Sequence, residues 1–367
     1  MNSPTHSEPP KEQRLFTILG DDIRRGDFMQ TMQREFSDLK EVMLTQERRE
    51  RLQGMSLWKR GFAMGWWLLK SLIRKLTPAR RLLFVIACFN LSAIQFEIGH
   101  KQFNLSPSLG VVIIVFLLML ELKDKLLAHE ELQAGNEVQK ALMPERSPQV
   151  PGWQVWLFTR SANEVGGDLI DFIRINEGRY AVALGDVAGK GLSAALFSAK
   201  LQATLKAIAP DFTSLELLGA KLNNIYCRDG LRSLFASLNF IEFQSDSGTI
   251  HLLNAGHIPP VLVRTTTVEN LQKGGPALGI MPEAVYSEQQ EELQDNDVLI
   301  VYSDGLTEAQ NPSGDFFGED RLLALLPRMS VLSAEEIGSR LVNEVEFFVG
   351  NSKPSDDLSI VILKRKL

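Results

Sequence analysis

The chain divides near residue 150 into two parts with different hydrophobic patterns. After that point, short apolar runs rich in β-branched and aromatic residues alternate with turn signals, which is typical of β-strands. The predicted strands are 153–160, 169–175, 180–185, 233–243, 249–254, 259–264, 297–303 and 358–364. Helical spacing of apolar positions predicts helices at 191–209, 214–227, 318–327 and 333–349. The hairpin-like strand spacing predicts an α+β domain over 150–367, mostly antiparallel with helices outside.

The first part of the chain is predicted to be helical. Residues 1–20 are polar and proline-containing, which indicates a disordered tail. Residues 21–78 have apolar positions at helical spacing and predict a cytosolic or interfacial helical region. Trp66 and Trp67 lie among leucines and cationic residues there, as in a helix at a membrane surface. An ordinary amphipathic helix packed on a cytosolic domain is the alternative.

Two apolar stretches follow, at 82–98 and 105–122. Each is close to the ~20 residues that typically span a hydrocarbon core. Basic residues precede the first stretch and follow the second, so the positive-inside rule places both chain ends in the cytoplasm. We therefore predict a two-helix transmembrane hairpin over 79–122. A buried hairpin in a soluble protein is the alternative.

The segment 123–149 is predicted to link that hairpin to the α+β domain. Residues 121–142 form a charged amphipathic pattern that stops before Pro144. This pattern fits a signalling helix, or a coiled coil through which two chains form a homodimer. Gly135 interrupts an irregular heptad, so the pattern leaves both interpretations open.

Composition narrows the classes of function. A net charge of -6 gives no support for nucleic-acid binding. Two cysteines do not suggest a disulfide framework, and the five histidines have no zinc-ligand spacing.

Four aspartates lie at the ends of apolar runs: Asp168, Asp186, Asp304 and Asp356. If the strands that carry them are neighbours, the carboxylates meet at one edge of a sheet. Such a cluster repels itself unless cations neutralise it. Oxygen-only ligands favour Mg²⁺ or Mn²⁺ over zinc or copper. The sequence therefore predicts a site for hard cations.

Other motifs have simpler interpretations. The stretch GDVAGKG lacks the spacing of a phosphate-binding loop, because Gly191 rather than Ser or Thr follows Lys190. The motif Asn254-Ala255-Gly256-His257 has no serine or cysteine nucleophile with it, so a hydrogen-bonded turn is favoured over a catalytic histidine loop.

Eight motifs in order make the chain resemble the metal-dependent protein phosphatase 2C (PP2C) superfamily, and within it the bacterial stage II sporulation protein E-type phosphatases. They are VQKALMPERSPQVPGW, ANEVGGDLIDF, GDVAGKGLSAAL, LLNAGHIPPVL, ALGI, VLIVYSDGLTEAQN, FGEDRL and SDDLSIVIL. The resemblance runs from about Glu137 to the C-terminus. It implies an antiparallel β-sandwich flanked by helices, which agrees with the predicted strands.

The resemblance also implies roles for individual residues. Asp186 would bridge two Mn²⁺ or Mg²⁺ ions, and the Val187 carbonyl would complete the sphere of one ion. Asp304 and Asp356 would bind the other ion, with Asp357 a possible further ligand. Asp168 would hold a water molecule on the metal.

The phosphate-binding arginine of the eukaryotic enzymes has no counterpart here, since Asn163 stands at the expected place. Phosphate contacts would fall to the metals, and Lys190 and Arg160 are further candidates.

By resemblance, the reaction is hydrolysis of phosphoserine or phosphothreonine on a protein, with an anti-sigma factor antagonist as the typical substrate. The location that follows is a bacterial inner membrane with both termini and the catalytic domain cytosolic. The alternative function is a degenerate phosphatase domain that serves as a membrane-tethered binding or scaffold module.

Overall fold

The computed structural model describes residues 56–91, 96–98, 101–103, 107–229, 234–264, 267–329 and 331–366. The chain divides into two compact units, residues 1–125 and 126–367. The predicted tail at 1–20 and residues 21–55 of the predicted helical region at 21–78 lie outside the described residues.

The first unit is mainly helical. Its described elements are α1 (Leu57–Lys75), α2 (Pro78–Leu91), β1 (Phe96–Ile98), β2 (Lys101–Phe103) and the start of α3 (Pro107–Leu142). Helices α2 and α3 approach closely, since a Cβ at Gly110 would lie 2.8 Å from the Ala87 carbonyl oxygen. The Arg80 guanidinium joins the same two helices through ion pairs with Glu121 (3.0 Å) and Asp124 (2.6 Å).

The structure does not support the predicted transmembrane hairpin. The apolar stretch 82–98 is not one helix, because α2 ends at Leu91 and residues 96–98 pair with 101–103 as two antiparallel strands. The 14 residues of α2 reach about 21 Å, short of a hydrocarbon core of about 30 Å. Within the described part of the chain, we find no helix that combines the length and the apolar character needed to cross a membrane.

The second unit contains two antiparallel sheets. The order in the six-stranded sheet is β10-β9-β12-β13-β4-β3, and in the five-stranded sheet β11-β8-β7-β6-β5. The strands are β3 (Gln149–Val150), β4 (Trp153–Arg160), β5 (Leu169–Asn176), β6 (Arg179–Val187), β7 (Ala236–Gln244), β8 (Thr249–Ala255), β9 (Val261–Val263), β10 (Val268–Asn270), β11 (Glu288–Glu292), β12 (Val298–Tyr302) and β13 (Leu358–Arg365).

Helices cover the outer face of each sheet. They are α4 (Leu192–Ile208), α5 (Leu215–Asp229), α6 (Asp304–Thr307), α7 (Glu319–Leu325) and α8 (Ala334–Val349). Helices α4 and α5 share a hydrophobic cluster with the five-stranded sheet, and α7 and α8 share another with the six-stranded sheet. A third cluster joins the two sheets to each other. The resulting order of layers, helix-sheet-sheet-helix, confirms the predicted β-sandwich flanked by helices.

Strand alternation explains why the central strands appear as unbroken apolar runs in the sequence. In β6, Ala181 and Ala183 face the helices, whereas Val182 and Leu184 face the other sheet. Successive side chains of a strand point to opposite faces, so a strand buried on both faces needs apolar residues at every position. The eight predicted strands are all present. Strands β3, β10 and β11, which were not predicted, lie at sheet edges.

Candidate active site

Two of the predicted site aspartates lie side by side at one end of the six-stranded sheet. Strands β12 and β13 are antiparallel neighbours, and Tyr302 pairs with Ile360. Asp304 closely follows the end of β12 and Asp356 closely precedes β13, so both residues reach the same edge. A Cβ at Gly305 would overlap the backbone carbonyl of Asp357, so this position needs glycine for the chain to turn away beside β13.

The other two aspartates lie at one end of the five-stranded sheet. Strands β5 and β6 pair with Leu169 opposite Gly185, which puts Asp168 beside Asp186. The Asp186 carboxylate and the Val187 carbonyl face the same point. A Cβ placed on Gly167 would lie 3.6 Å from Asp186 Oδ1 and 3.3 Å from the Val187 oxygen. These two oxygens therefore lie close together beside Gly167, and their role as metal ligands stays a prediction.

The site is thus assembled across the sandwich and not along one sheet edge. The condition that the strands carrying the aspartates are neighbours is met within each pair but not between the pairs, because β6 and β12 belong to different sheets. The charges of one pair nevertheless change the pKa of the other pair. Burial, together with the charges of Asp304 and Asp356, raises the pKa of Asp186 to about 6.

Asp304 shows the same effect from the other sheet. Burial raises the pKa of its carboxyl, and the neighbouring charge of Asp356 adds to the increase. Carboxylates that raise one another's pKa in a half-buried setting are stabilised when a cation lies among them. The chemistry of this donor set, oxygen atoms only, fits a hard divalent ion.

The described residues include no group of three His, Cys, Asp or Glu side chains spaced to hold one ion. Besides burial, the charge of Asp304 nevertheless raises the pKa of Asp186, and the charge of Asp356 raises that of Asp304, so these carboxylates interact electrostatically.

Asp168 differs from the other three because it is buried. Only 4% of its surface is exposed, and burial raises its pKa well above the usual value. The Ser359 hydroxyl donates a hydrogen bond to Asp168 Oδ2 (2.5 Å), and Ser359 in turn bonds Thr159 (2.8 Å). Ser359 lies on β13 and Thr159 on β4, so the six-stranded sheet fixes the orientation of this carboxylate. Neither hydroxyl was predicted from the sequence.

Asp357 holds the loop that carries Asp168. Its Oδ1 accepts a hydrogen bond from the Ala162 amide (2.7 Å), and its Oδ2 accepts from Gly167 (2.7 Å) and Asp168 (3.3 Å). Both oxygens are therefore engaged by backbone donors. The possible ligand role of Asp357 stays a prediction, and its contacts favour anchoring of the loop.

The two candidate phosphate contacts have different surroundings. Lys190 is exposed, and its Nζ lies 3.1 Å from Asp356 Oδ2 and 3.0 Å from the Ser355 carbonyl oxygen. Arg160 forms an ion pair with Glu346 on α8. Arg160 also lines a small cavity together with Asp356. Both cations are thus close to the Asp304–Asp356 side of the site, and their contact with phosphate stays a prediction.

The end of helix α3 contacts the Asp168 loop directly. The Gln139 side-chain amide makes two hydrogen bonds with Gly166: Nε2 donates to the carbonyl (2.9 Å), and Oε1 accepts from the amide (3.1 Å). Asn136 donates to the Glu164 carbonyl oxygen. Val165 packs beside Gly135, since its Cγ1 would lie in ordinary contact, at 3.6 Å, with a Cβ at that position. The glycine that interrupts the heptad is therefore a packing position against this loop.

Comparison with known proteins agrees with this geometry. The family model described as "Stage II sporulation protein E (SpoIIE)" matches residues 176–366, which is more than half of the chain. The chain belongs to the SpoIIE family.

Two curated relatives are similar over longer stretches. Protein IcfG of Synechocystis sp. is 25% identical over 308 residues, which cover 74% of this chain and 48% of that protein. The phosphoserine phosphatase RsbU of Bacillus subtilis is 23% identical over 239 residues, covering 65% of this chain and 70% of RsbU. The chain thus spans about half the length of IcfG.

Solved structures confirm the fold of this SpoIIE-family chain. The PP2C domain of SiaA from Pseudomonas aeruginosa superposes with a TM-score of 0.56 at 17% identity, covering 66% of this chain and 98% of that domain. At that identity the similarity establishes a PP2C-like fold, and the four aspartates lie at one end of its sandwich.

Proposed function

We propose that this chain is a metal-dependent protein serine/threonine phosphatase. The observation that carries the proposal is the meeting of two aspartate pairs, one from each sheet, whose charges raise the pKa of Asp186 and Asp304. Family membership supports the same reaction class, since two relatives carry the name phosphoserine phosphatase.

Two Mn²⁺ or Mg²⁺ ions would be held by Asp186, the Val187 carbonyl, Asp304 and Asp356. When bound, such ions supply Lewis acidity toward a phosphoryl oxygen and lower the pKa of water. The carboxylates of the chain complement this chemistry. In their ionised form, Asp186, Asp304 and Asp356 would direct three negative charges at the ions.

Asp168 is the group of this chain suited to orient a water molecule. Ser359 holds one oxygen of its carboxyl group, which leaves the other to accept or donate a hydrogen bond. Burial raises the pKa of Asp168 well above its usual value, and the hydrogen bond from Ser359 holds the direction of its carboxyl group.

Positive groups suited to the phosphate lie on the same side. Lys190 contacts Asp356 and is otherwise exposed, so it can turn toward a phosphoryl group. Helix α4 begins at Leu192 with no side-chain cap and no acidic residue in its first turn. Its first N–H groups and the positive end of its dipole therefore favour an anion.

The proposed substrate is a phosphorylated regulatory protein such as an anti-sigma factor antagonist. The relatives RsbU and RsbP, both from Bacillus subtilis, are named phosphoserine phosphatases, which supports a phosphoserine protein.

The reaction is tested with the full chain and a phosphoserine peptide, with Mn²⁺ or with a chelator. We expect release of phosphate only with the metal, and loss of that release in Asp186→Asn and Asp304→Asn. Equal rates with metal and chelator, or in wild type and both variants, would contradict the mechanism. Tight binding of a phosphoprotein without phosphate release would instead favour the scaffold alternative.

Two further expectations concern the helix and the membrane. Pairing of two chains through 121–142 stays a prediction, to which the exposed Leu122, Leu126 and Leu127 on α3 lend support. Light scattering of the full chain and of Leu126→Glu measures this pairing, and an equal molar mass of the two proteins would contradict it.

The inner-membrane location also stays a prediction, and fractionation of cells tests it.

A further inference from the structure

The motif Asn254-Ala255-Gly256-His257 forms the connection between the two sheets. It begins with the last two residues of β8 in the five-stranded sheet and precedes β9 in the six-stranded sheet. Both polar atoms of the Asn254 side chain bond the backbone of His257: Nδ2 donates to its carbonyl (3.1 Å), and Oδ1 accepts from its amide (2.9 Å). Gly256 has a φ of 71°, and a Cβ there would lie 2.5 Å from the Ala277 nitrogen. These residues fix a turn that places the His257 ring inside the protein.

The His257 ring makes one hydrogen bond to each sheet. Its Nε2 lies 3.2 Å from the carbonyl oxygen of Tyr302, the last residue of β12. Its Nδ1 lies 2.7 Å from the hydroxyl of Ser237 on β7. A carbonyl only accepts, so Nε2 carries the proton, and Nδ1 accepts from the serine. The residue is 7% exposed, and burial lowers the pKa of His257 to about 4, which agrees with this neutral form.

Both ends of this connection lie next to aspartates of the site. Ser237 is the register partner of Asp186, and the Asp186 amide lies 3.4 Å from the Ser237 hydroxyl oxygen. Tyr302 is two residues before Asp304. We call this chain of hydrogen bonds, from Asp186 through Ser237 and His257 to Tyr302, the His257 link.

We propose that His257 is a positioning residue for cation binding, because its ring ties the strand end that carries Asp186 to the strand end that carries Asp304. Two carboxylates of like charge on separate sheets repel each other, and the His257 link opposes their separation. Hydrogen-bonded residues outside the ligand set orient metal ligands in many proteins, and His257 acts on the two ligand-bearing strand ends through Ser237 and Tyr302. This inference rests on the proposed metal-dependent function.

The test measures Mn²⁺ affinity of the full chain from the electron paramagnetic resonance signal of free Mn²⁺, without substrate. We expect His257→Leu, which removes both hydrogen bonds, to raise the Kd about 10- to 100-fold. Ser237→Ala removes one bond and should give a smaller increase. His257→Gln keeps a donor and an acceptor and should recover part of the affinity. His251→Gln is the matched control: that ring lies on β8 and pairs with Glu288, away from the link, so its Kd should equal that of wild type.

Thermal unfolding in chelator separates positioning from stability. A role in folding alone predicts a lower melting temperature with unchanged Kd in the folded variants, and this result would overturn the inference. If His257→Leu does not fold, Ser237→Ala and His257→Gln decide: a Kd equal to that of wild type in both rejects the link. The proposed function fails separately, if wild type binds no Mn²⁺ or if Asp186→Asn binds it equally well.

Discussion

The two aspartate pairs of the site differ in how the protein holds them. In the five-stranded sheet, Asp168 is buried, takes a hydrogen bond from Ser359, and follows a loop that Asp357 anchors. In the six-stranded sheet, Asp304 and Asp356 are half-buried, and the ion-pair partner of Asp356 is the exposed Lys190. Asp168 is therefore held for fixed orientation, whereas Asp304 and Asp356, like the half-buried Asp186, can exchange with solvent and ions.

Aspartates with similar sequence settings can therefore have separate roles. Burial with a fixed hydrogen bond suits a group that orients water or a proton, because its direction must not change. Half-exposure beside other carboxylates suits a group that accepts a cation from solution. Substitutions on the two sides should therefore change different measured quantities.

The largest expected effect is a different response of Mn²⁺ affinity to substitution of Asp304 and of Asp168. Asp304→Asn removes a charge from the cation site, so we expect the Mn²⁺ Kd to rise more than about 100-fold, beyond the loss typical of outer partners. Asp168→Asn keeps the shape and can keep the Ser359 bond, so we expect kcat to fall while the Mn²⁺ Kd changes little. Metal titration and steady-state kinetics measure both. A similar rise of the Mn²⁺ Kd in the two variants would contradict the proposed division of roles between Asp304 and Asp168.

The next effect concerns the loop anchor. Asp357→Ala leaves the amides of Ala162, Gly167 and Asp168 without their acceptor, which should lower the free energy of unfolding by about 3 kcal/mol. Asp357→Asn keeps an acceptor oxygen and should be destabilised less. Denaturant unfolding in the absence of metal measures both. If Asp357 is instead a ligand, the two variants keep wild-type stability without metal and lose the stabilisation that Mn²⁺ gives.

The sandwich and its buried strands could be predicted from the sequence, since strands such as β12 are apolar at every position. The edge strands escaped prediction for a physical reason. Strand β11, Glu288–Glu292, pairs on one side only and is polar, so it lacks the hydrophobic pattern of a buried strand.

The four site aspartates were also predictable, because carboxylates at the ends of apolar runs are unusual. Their division between two sheets was not predictable, since strand order is set by long-range pairing. Ser359, Gln139 and Ser237 act through contacts with residues distant in the chain, for which the sequence has no local signal.

A smaller effect is expected at the contact between α3 and the loop. Gln139→Ala removes two hydrogen bonds to Gly166, which should lower the free energy of unfolding by about 1 kcal/mol. If the Asp168 loop loses its position as a result, phosphatase activity should fall several-fold. Gln133 is the matched control, since it lies on the same helix and its side chain bonds its neighbour His129. Phosphatase assays of Gln139→Ala and Gln133→Ala measure the difference. Equal activity in both variants would show that α3 does not position the loop.

The smallest effect is a pair of opposite pH dependences in the metal-free protein. The pKa of Asp186 is raised from 3.8 to about 6. Between these two pH values the folded state binds more protons than the unfolded state. The contribution of Asp186 to the free energy of unfolding therefore falls as pH rises from about 4 to about 6. Asp168 adds to this with the same sign. The pKa of His257 is lowered from 6.5 to about 4, so the unfolded state binds the extra proton, and this contribution grows as pH rises from about 4 to 6.5.

The two dependences offset each other in wild type, and variants reveal them separately. Relative to wild type, the unfolding free energy of Asp186→Asn should increase from pH 4 to pH 6, because the variant lacks the falling contribution. That of His257→Gln should decrease from about pH 4 to pH 6.5, because the variant lacks the rising one. Denaturant unfolding in chelator at half-unit pH steps measures both differences. Parallel curves for the two variants would mean that Asp186 and His257 are not oppositely perturbed by burial, and the contrast between a charged ligand and a neutral positioning ring would lose its electrostatic basis.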